Sequence, residues 1–470
     1  MNTADTSLKN QDTPSGQNTT ASSPSETNSL EGSQPKKQIP VLDGARAIAC
    51  LSVLVYHISL RSGKGGIWGP VHTIHDVLGI LTFVVASVAY YGESGIILFF
   101  LLSSFLLFLP YAKALLFESR WPSLRRFYLR RIFRILPGYY VTIFLVTLFF
   151  APQFLQSRHW HDVWLFLTFR MNYDLAQELD GPFWTLAVEF QFYLLLPILA
   201  WLFSLVVGRG TLGQRMLKLT VCLLLLTVWG LLTRFWGLSI ANVPQRYAIF
   251  KYLFPVLKPY IYGDQGKFLE VFAVGMLMCI VYTYTQYAPS AEFWRIRMHR
   301  LSPLMFTTGL VLLFFLSLWH FYFMDINRVY FIRHPQSYVV FTFLDPHIPT
   351  IVSSYWAMLQ PLGYAISYGL CLLALLYGSA KIKRPFESSP LSWVASISFS
   401  LYMWHQGLTV LFAYVINYNI QRQGWSPLVQ YGAFWCWTLV VIFPVSATIY
   451  HWIEQPGIRL GEWLIRKLER

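Results

Sequence analysis

The chain has 470 residues, of which 55% are hydrophobic and only 12% are charged, with a mean hydropathy of +0.46. This composition excludes an ordinary soluble domain and favours a polytopic membrane protein. The formal net charge of +14 comes from cations in short loops, so nucleic acid is not needed as a partner. The five cysteines fall in separate apolar runs, which indicates neither a disulfide framework nor a CxxC metal site.

The N-terminal segment differs from the rest of the chain. Residues 1–38 are rich in Ser, Thr, Asn, Gln, Pro and Glu and contain almost no aliphatic residues. Such a segment cannot bury enough apolar surface to fold, so we expect a disordered cytosolic tail. Residues 39–460 follow as a membrane domain, and residues 461–470 as a short basic cytosolic tail.

The apolar runs predict an all-α fold with about ten transmembrane helices, because most are about 20 residues long, the length that crosses a bilayer. The predicted spans are 41–60, 93–112, 134–151, 183–207, 217–240, 267–285, 303–323, 351–378, 390–415 and 428–453. A further apolar stretch, 76–91, is only about sixteen residues long.

The positions of the cations set the topology, because short loops rich in Lys and Arg stay in the cytosol. With ten spans and a cytosolic N-terminus, the inside segments carry 22 Lys and Arg residues and the outside loops carry 11. Counting 76–91 as a span would invert every later loop and place the basic segment 113–134 outside. We therefore predict that 76–91 is re-entrant or interfacial, that both termini are cytosolic, and that the protein lies in the plasma (inner) membrane.

Arg46 and His57 lie eleven residues apart in the first span. Eleven residues make about three turns of an α-helix, so both side chains leave the same face, about 16 Å apart along the axis. Ionisable residues are costly in hydrocarbon, which makes a functional role the first hypothesis. The alternative is an anchoring arginine and an interfacial histidine. Asp43, three residues before Arg46, can pair with it on the same face.

Segment 124–140 carries arginines at helical spacing between aromatic and aliphatic residues. They are Arg126, Arg130, Arg131 and Arg134. The pattern is typical of a basic amphipathic helix at the cytosolic surface, whose cations hold lipid headgroups and set the topology. Guanidinium groups also suit an anion site for the phosphates of a cytosolic cofactor. Different members of the cluster can serve the two roles.

Glu189 is the carboxylate in the body of the fourth span, about 10 Å from its outer end by helix rise. It requires either a buried arginine as an ion-pair partner or a role in a site. Because Glu189 and His57 both fall in the outer half of the membrane, a shared site is possible there. His405 in the ninth span is a secondary candidate, with helix packing through serines and a hydrogen-bonded histidine as the alternative.

Two local clusters of histidine and aspartate invite a metal-site hypothesis. They are His72, His75 and Asp76, and His159, His161 and Asp162. Neither cluster has further matched ligands of the kind that a zinc site requires. We therefore predict solvated loop residues at both places and no metal.

Several segments resemble, in order and spacing, the acyltransferase 3 family of integral-membrane acyltransferases. They are LDGARAIACLSVLVYH, GIILFFLLSSFLLFLPY, RRIFRILPGYY, FWTLAVEFQFYLLLP, SFSLYMWHQ and IEQPG. The likeness runs from about residue 39 to 460. It implies a ten-span enzyme that moves an acyl group, commonly acetyl, from cytosolic acyl-CoA to a hydroxyl at the outer face, on acceptors such as exported polysaccharides or lipid-linked glycans.

By position, the resemblance implies that His57 is the catalytic histidine and Arg46 its paired cation, with Glu189 as the fourth-span carboxylate. It implies that the family's arginines after the second span, which would bind acyl-CoA, are Arg131 and Arg134. We assign the adjacent Arg130 to the same binding site. Two departures from the family pattern stand out. Ser-Gly-Phe is replaced by Ser103-Ser104-Phe105, which suggests loss of a close backbone approach. Glu-Arg-Pro-Phe is replaced by Glu454-Gln455-Pro456-Gly457, which weakens a role for that segment.

One mechanistic hypothesis joins these residues. The phosphates of acetyl-CoA dock on the cytosolic arginines, and His57 acts as general base on the acceptor hydroxyl while Glu189 orients its imidazole. The pantetheine arm, on the order of 15–20 Å long, matches the offset between Arg46 and His57 given by the helix rise. Two alternatives remain: a proton-coupled transporter or flippase for an anionic lipid or sugar, and a non-catalytic homologue. The sequence does not give the oligomeric state.

Overall fold

The computed structural model describes residues 39–61, 84–89, 91–171, 179, 181–240, 248–263, 266–321 and 348–469. The predicted tail 1–38 lies outside the described residues, and so does most of the stretch 76–91, of which residues 84–89 are helical. Helices dominate the described residues, and none of those residues is in a strand. The prediction of an all-α fold is confirmed.

Apart from residues 84–89, the described α-helices of five or more residues cover most of each predicted span, although the helices that carry spans 134–151 and 303–323 begin about ten residues earlier. In chain order they are α1 (Pro40–Arg61), α2 (Gly95–Phe117), α3 (Leu124–Phe149), α4 (Trp160–Leu167), α5 (Phe183–Val207), α6 (Leu212–Phe235), α7 (Ala248–Ile261), α8 (Leu269–Tyr287), α9 (Glu292–His320), α10 (Ile348–Tyr377), α11 (Ser389–Phe412), α12 (Tyr418–Arg422), α13 (Pro427–Trp437), α14 (Phe443–Ile449) and α15 (Gln455–Leu468). Short π-helical turns continue α6 to Ile240, α11 to Asn417, and the path from α13 through α15.

Nine helical stretches of the described chain are long and apolar enough to cross a membrane, which confirms a polytopic membrane protein. They match nine of the predicted spans. The other predicted span, 390–415, forms the single helix α11, which is less apolar because serines and His405 lie on its buried face. Many large apolar side chains stay exposed on the remaining helices, as expected where lipid replaces water.

α1 lies parallel to α11. The Cys50 thiol donates to the Ser398 carbonyl at 3.5 Å, and two turns further along the rings of His57 and His405 meet with centroids 4.9 Å apart. Equal spacing on both helices means that they run in the same direction, as the first and ninth spans of a ten-span protein must. α11 therefore carries a face of side chains that follows the Arg46–His57 face of α1.

α2 packs between α1 and α8 through glycines. A Cβ added at Gly95 would lie 2.5 Å from the Ala49 carbonyl oxygen of α1, and a Cβ at Gly275 of α8 would lie 2.0 Å from the Ser104 hydroxyl. Small residues allow such backbone approach between membrane helices. The loss of a close approach expected from Ser103-Ser104-Phe105 is therefore wrong, because the facing helix supplies the glycine.

α15 packs against the first turns of α3, which carry the exposed arginines Arg126 and Arg130. A Cβ added at Gly457 would lie 2.8 Å from the Phe133 carbonyl oxygen of α3, so the glycine in the departing motif permits this contact. Gly461 and Ile465 are also buried. The predicted boundary at residue 460 falls inside this helix.

A buried ion pair joins α6 to α8. The Arg234 guanidinium donates to the Glu270 carboxylate through Nε at 2.9 Å and stacks 4.6 Å from the centre of the Phe268 ring. Both charged side chains are almost fully buried. This pair fixes α8, and through Gly275 it also fixes the helix that lines the site.

Candidate active site

A cavity of about 160 Å³ lies among α1, α2, α3, α5 and α11. Four of the predicted site residues line it: Arg46, Arg131, Arg134 and Glu189. Hydroxyl groups complete the polar part of the wall, and the rest is apolar. The hydroxyl-bearing residues are Ser103, Thr185, Tyr193, Ser398 and Tyr402. The cavity therefore combines a cluster of cations with an apolar wall.

Arg46 enters the cavity from the first turns of α1. Its guanidinium donates to Asp43 at 3.1 Å, as the three-residue spacing predicts. It also lies close enough to Arg131, Arg134 and Glu189 to interact electrostatically with all three. Three like charges gathered in one membrane cavity repel each other, so the arrangement favours an anionic ligand.

Arg131 and Arg134 face the cavity from α3. The Arg131 guanidinium lies 5.8 Å from the centre of the Tyr193 ring. Arg134 interacts with Glu454, a carboxylate that is only 2% exposed and that accepts a hydrogen bond from the Ser400 hydroxyl at 2.9 Å. Carboxylates therefore offset part of the positive charge, and the cluster remains able to hold phosphate groups through guanidinium donors.

The other arginines of segment 124–140 point away from the cavity. Arg126 donates to Glu469 through Nε at 2.7 Å, and Arg130 is exposed. The structure thus divides the predicted cluster into cavity residues and surface residues. Arg130, which we predicted to bind the donor with Arg131, is not part of the cavity lining, because adjacent residues on a helix point about 100° apart.

Glu189 lies with the cations. It accepts a hydrogen bond from the Ser103 hydroxyl, Tyr193 belongs to the same hydrogen-bond network, and Arg46 and Arg131 are its charged neighbours. The sequence predicts that Glu189 orients the imidazole of His57. The structure instead directs this carboxylate to α2 and the arginines, because its depth along α5 says nothing about the face from which it projects.

His57 meets His405 rather than a carboxylate. Nδ1 of His57 is 2.9 Å from the Val53 carbonyl oxygen and 3.3 Å from Nε2 of His405. Nδ1 of His405 is 2.7 Å from the Tyr402 carbonyl oxygen. His405 is fully buried, whereas His57 is half-buried. The secondary candidate of the sequence analysis is thus in direct contact with the primary one.

Tyr402 connects the cavity to the two imidazoles. It lines the cavity, and its ring centre is 5.6 Å from that of His405. The Thr185 hydroxyl donates to the Pro182 carbonyl at 2.8 Å, so it can only accept from the Tyr402 hydroxyl, which is also 2.8 Å away. The Tyr402 side chain, held by Thr185, therefore borders both the cavity and the His405 ring.

Sequence reasoning missed the positions of Tyr402 and Ser103 in this arrangement. A signal was present for Tyr402, because Ser398, Tyr402 and His405 recur at i, i+4 and i+7 on one helical face. Glu454 carried the general signal of a carboxylate in an apolar run. Their partners lie on other helices and could not be read from spacing.

The predicted absence of a metal site concerns two clusters. Nδ1 of His159 is 3.1 Å from Asp162, which is a pair local to one turn. Within the part of the chain that the structure describes, no three His, Cys, Asp or Glu side chains come together. The cluster of His72, His75 and Asp76 lies outside the described residues.

Comparison with known proteins adds an independent finding. The family model of the acyltransferase domain matches residues 39–450. The peptidoglycan O-acetyltransferase OatA of Listeria monocytogenes is 22% identical over 90% of this chain and 56% of its own length. The O-acetyltransferase OatA of Staphylococcus aureus is 27% identical over 36% of this chain and 26% of its own length. No solved structure matches the chain.

The chain thus spans little more than half the length of the Listeria relative, and a smaller part of the Staphylococcus relative. The family match, in contrast, covers most of the chain. It begins one residue before α1 and includes the whole cavity lining and both imidazoles. The family predicted from the motifs is confirmed: this protein belongs to the acyltransferase 3 family of integral-membrane acyltransferases.

Proposed function

We propose that this protein is a membrane O-acetyltransferase that moves an acetyl group from cytosolic acetyl-CoA to a hydroxyl of a glycan at the outer face. One observation carries the proposal. Arg46 shares a cavity with Arg131 and Arg134, and the same face of α1 brings His57 to a second imidazole beyond that cavity. The relatives named as peptidoglycan O-acetyltransferases support a cell-envelope glycan, free or lipid-linked, as the acceptor.

The orientation follows from charge. The exposed arginines at the beginning of α3 and the basic end of α15 lie at one end of the membrane domain, and such segments remain cytosolic. We therefore place both termini in the cytosol and the protein in the plasma (inner) membrane. Arg46 then lies toward the donor side and His57 toward the acceptor side.

Arg131 and Arg134 bind the phosphates of the donor in this scheme. Guanidinium groups hold phosphate oxygens through paired N–H donors, and such charge-assisted bonds are among the strongest that side chains make. The apolar part of the cavity suits the slim pantetheine arm. Arg46 shares the cavity with these arginines and lies on the α1 face that leads to His57, so we place the arm along that face.

His57 is the general base. Its free ring nitrogen takes the proton from the acceptor hydroxyl as the hydroxyl oxygen attacks the thioester carbonyl. The carbon–sulfur bond breaks, the imidazolium returns the proton to the departing sulfur, and the products are an acetyl ester and CoA thiol. Atoms and charges balance, and the step requires no metal ion. An imidazole suits this role because it accepts and releases protons near neutral pH.

The test is acceptor-dependent release of CoA thiol from acetyl-CoA by the purified protein in nanodiscs. His57→Ala is expected to lower the rate by about 100-fold or more, the usual contribution of a positioned general base. The matched control is His451→Ala, which removes an exposed imidazole from the tenth span and should leave the rate unchanged. Full activity of His57→Ala would refute the base, and absence of any thiol release would favour the transporter.

The acceptor is identified by a separate measurement. Mass spectrometry of cell-envelope glycans and lipids from cells with and without the protein should show acetyl esters that depend on it. If only a small soluble metabolite were acetylated, the glycan acceptor would be wrong while the acyl transfer would stand.

A further inference from the structure

We infer that His405 is a positioning residue for the acetyl transfer: its Nε2 accepts the Nδ1–H of His57 and keeps the opposite nitrogen of His57 free to act as base. The inference rests on the proposed role of His57 as general base. It assigns to a neutral imidazole on α11 the orienting role that the sequence gives to Glu189.

The first step fixes the protons on His405. Its Nδ1 lies 2.7 Å from the Tyr402 carbonyl oxygen. A carbonyl oxygen only accepts hydrogen bonds, so Nδ1 of His405 carries the hydrogen. In a neutral ring, Nε2 then has a lone pair and is an acceptor.

The second step fixes the protons on His57. Its Nδ1 lies 2.9 Å from the Val53 carbonyl oxygen, so this nitrogen also carries a hydrogen. The same Nδ1 lies 3.3 Å from Nε2 of His405. One hydrogen on His57 therefore points between two acceptors, and both contacts are satisfied only when His405 is neutral at Nε2.

The third step follows from the nitrogen that remains. Nε2 of His57 has no role in these contacts, so in the neutral ring it presents a lone pair. When it takes a proton, every contact of the pair is retained, and the new cation faces the lone pair of His405. A proton on Nε2 of His405 would instead point at the Nδ1–H of His57, so two N–H groups would face each other without an acceptor between them. The geometry thus assigns the role of catalytic base to His57 and the role of hydrogen-bond acceptor to His405.

Burial supports this division of roles. His405 is 1% exposed, whereas His57 is half-buried, so only the His57 ring is partly open to an incoming hydroxyl. The backbone of His405 is fixed by the Thr409 hydroxyl, which donates to its carbonyl at 2.6 Å. A neutral orienting group also avoids the desolvation of a carboxylate, which is costly inside a membrane.

The experiment compares three substitutions of His405 in the full-length protein in nanodiscs. His405→Gln places an amide oxygen near the position of Nε2, within reach of His57. His405→Asn has the same amide chemistry but is one methylene shorter and reaches only the position of Nδ1. His405→Phe keeps the ring volume without an acceptor. Thermal unfolding and gel filtration show which variants are folded.

We expect kcat to fall about 10- to 100-fold in the Phe and Asn variants, the range for losing a hydrogen bond to a charged group. KM for acetyl-CoA should not change, because the cation cluster is intact. The Gln variant should recover to within about fivefold of the parent. If the Phe variant does not fold, the Asn and Gln pair gives the same comparison.

Two outcomes would overturn the inference. Gln no better than Asn would show that the acceptor atom is irrelevant, and a fully active Phe variant would show that His405 only fills space. Loss in His57→Ala with no loss in the His405 variants would remove this inference alone. Full activity of His57→Ala would instead remove the proposed base, and absence of thiol release by the parent protein would remove the proposed function itself, so the failures are distinguishable.

Discussion

Arg130 and Arg131 offer a matched test of the donor site. They are adjacent on α3, but Arg131 lines the cavity over the Tyr193 ring whereas Arg130 is exposed. Changing either to Gln removes one positive charge from nearly the same place, so the long-range field of the protein changes equally. Any difference between the two variants therefore reports the cavity.

The expected magnitudes differ. A charge-assisted hydrogen bond from Arg131 to a phosphate is worth about 1.5–3 kcal/mol, which raises the KM for acetyl-CoA about 10- to 150-fold on its loss. An exposed charge contributes about 0–1 kcal/mol, so Arg130→Gln should raise KM at most about fivefold. Glu189 keeps Ser103 and Arg46 as partners in the Arg131 variant, and the fold should therefore survive.

The assay is the initial rate of thiol release over a range of acetyl-CoA concentrations, with thermal unfolding of each variant as the control. Acetyl-dephospho-CoA, which lacks the 3′-phosphate, shows which phosphate Arg131 holds. If Arg131 contacts that group, the substitution should have little further effect with this donor. Equal KM changes in both variants, or a fall in kcat with unchanged KM for Arg131→Gln, would refute the assignment.

Two further predictions concern stability. Gly275→Ala should lower the free energy of unfolding by about 1–3 kcal/mol, because the added Cβ would overlap α2. The control Gly432→Ala, where an added Cβ meets open space, should leave it unchanged. Equal melting temperatures for the two variants would contradict this packing. Glu270→Gln should cost about 3–5 kcal/mol because it removes the buried carboxylate charge that pairs with Arg234. The exposed counterpart Glu292→Gln should cost under about 1 kcal/mol. Similar urea midpoints for the two carboxylate variants would show that the buried pair is not important.

Much of the site was visible in local spacing. The eleven-residue offset from Arg46 to His57 places both side chains on one face because α-helices have a fixed periodicity. Helical spacing also marked Arg131 and Arg134 as neighbours. Distance along a helix was therefore predictable, and it placed Arg46, Arg131 and Arg134 where one cavity collects them.

The partners of these residues were not predictable in the same way. Glu189 lies in the body of α5, yet it faces Ser103 and the arginines instead of His57. The rotation of α5 about its axis decides this, and a nearly uniformly apolar helix carries little pattern from which to read it. Ser104, which replaces the family's glycine in the second span, is a similar case. The glycine that allows the close helix approach is Gly275, on α8.

The sequence by itself determined the class of protein, the course of about ten spans and the family, because run length, cation placement and motif order are properties of the chain. Only the tertiary structure decided which arginines enter the cavity and which imidazole meets His57. His57 and His405 are 348 residues apart, and their contact exists because α1 and α11 pack in parallel and in register. Such packing depends on side chains of both helices at once, which no local pattern contains.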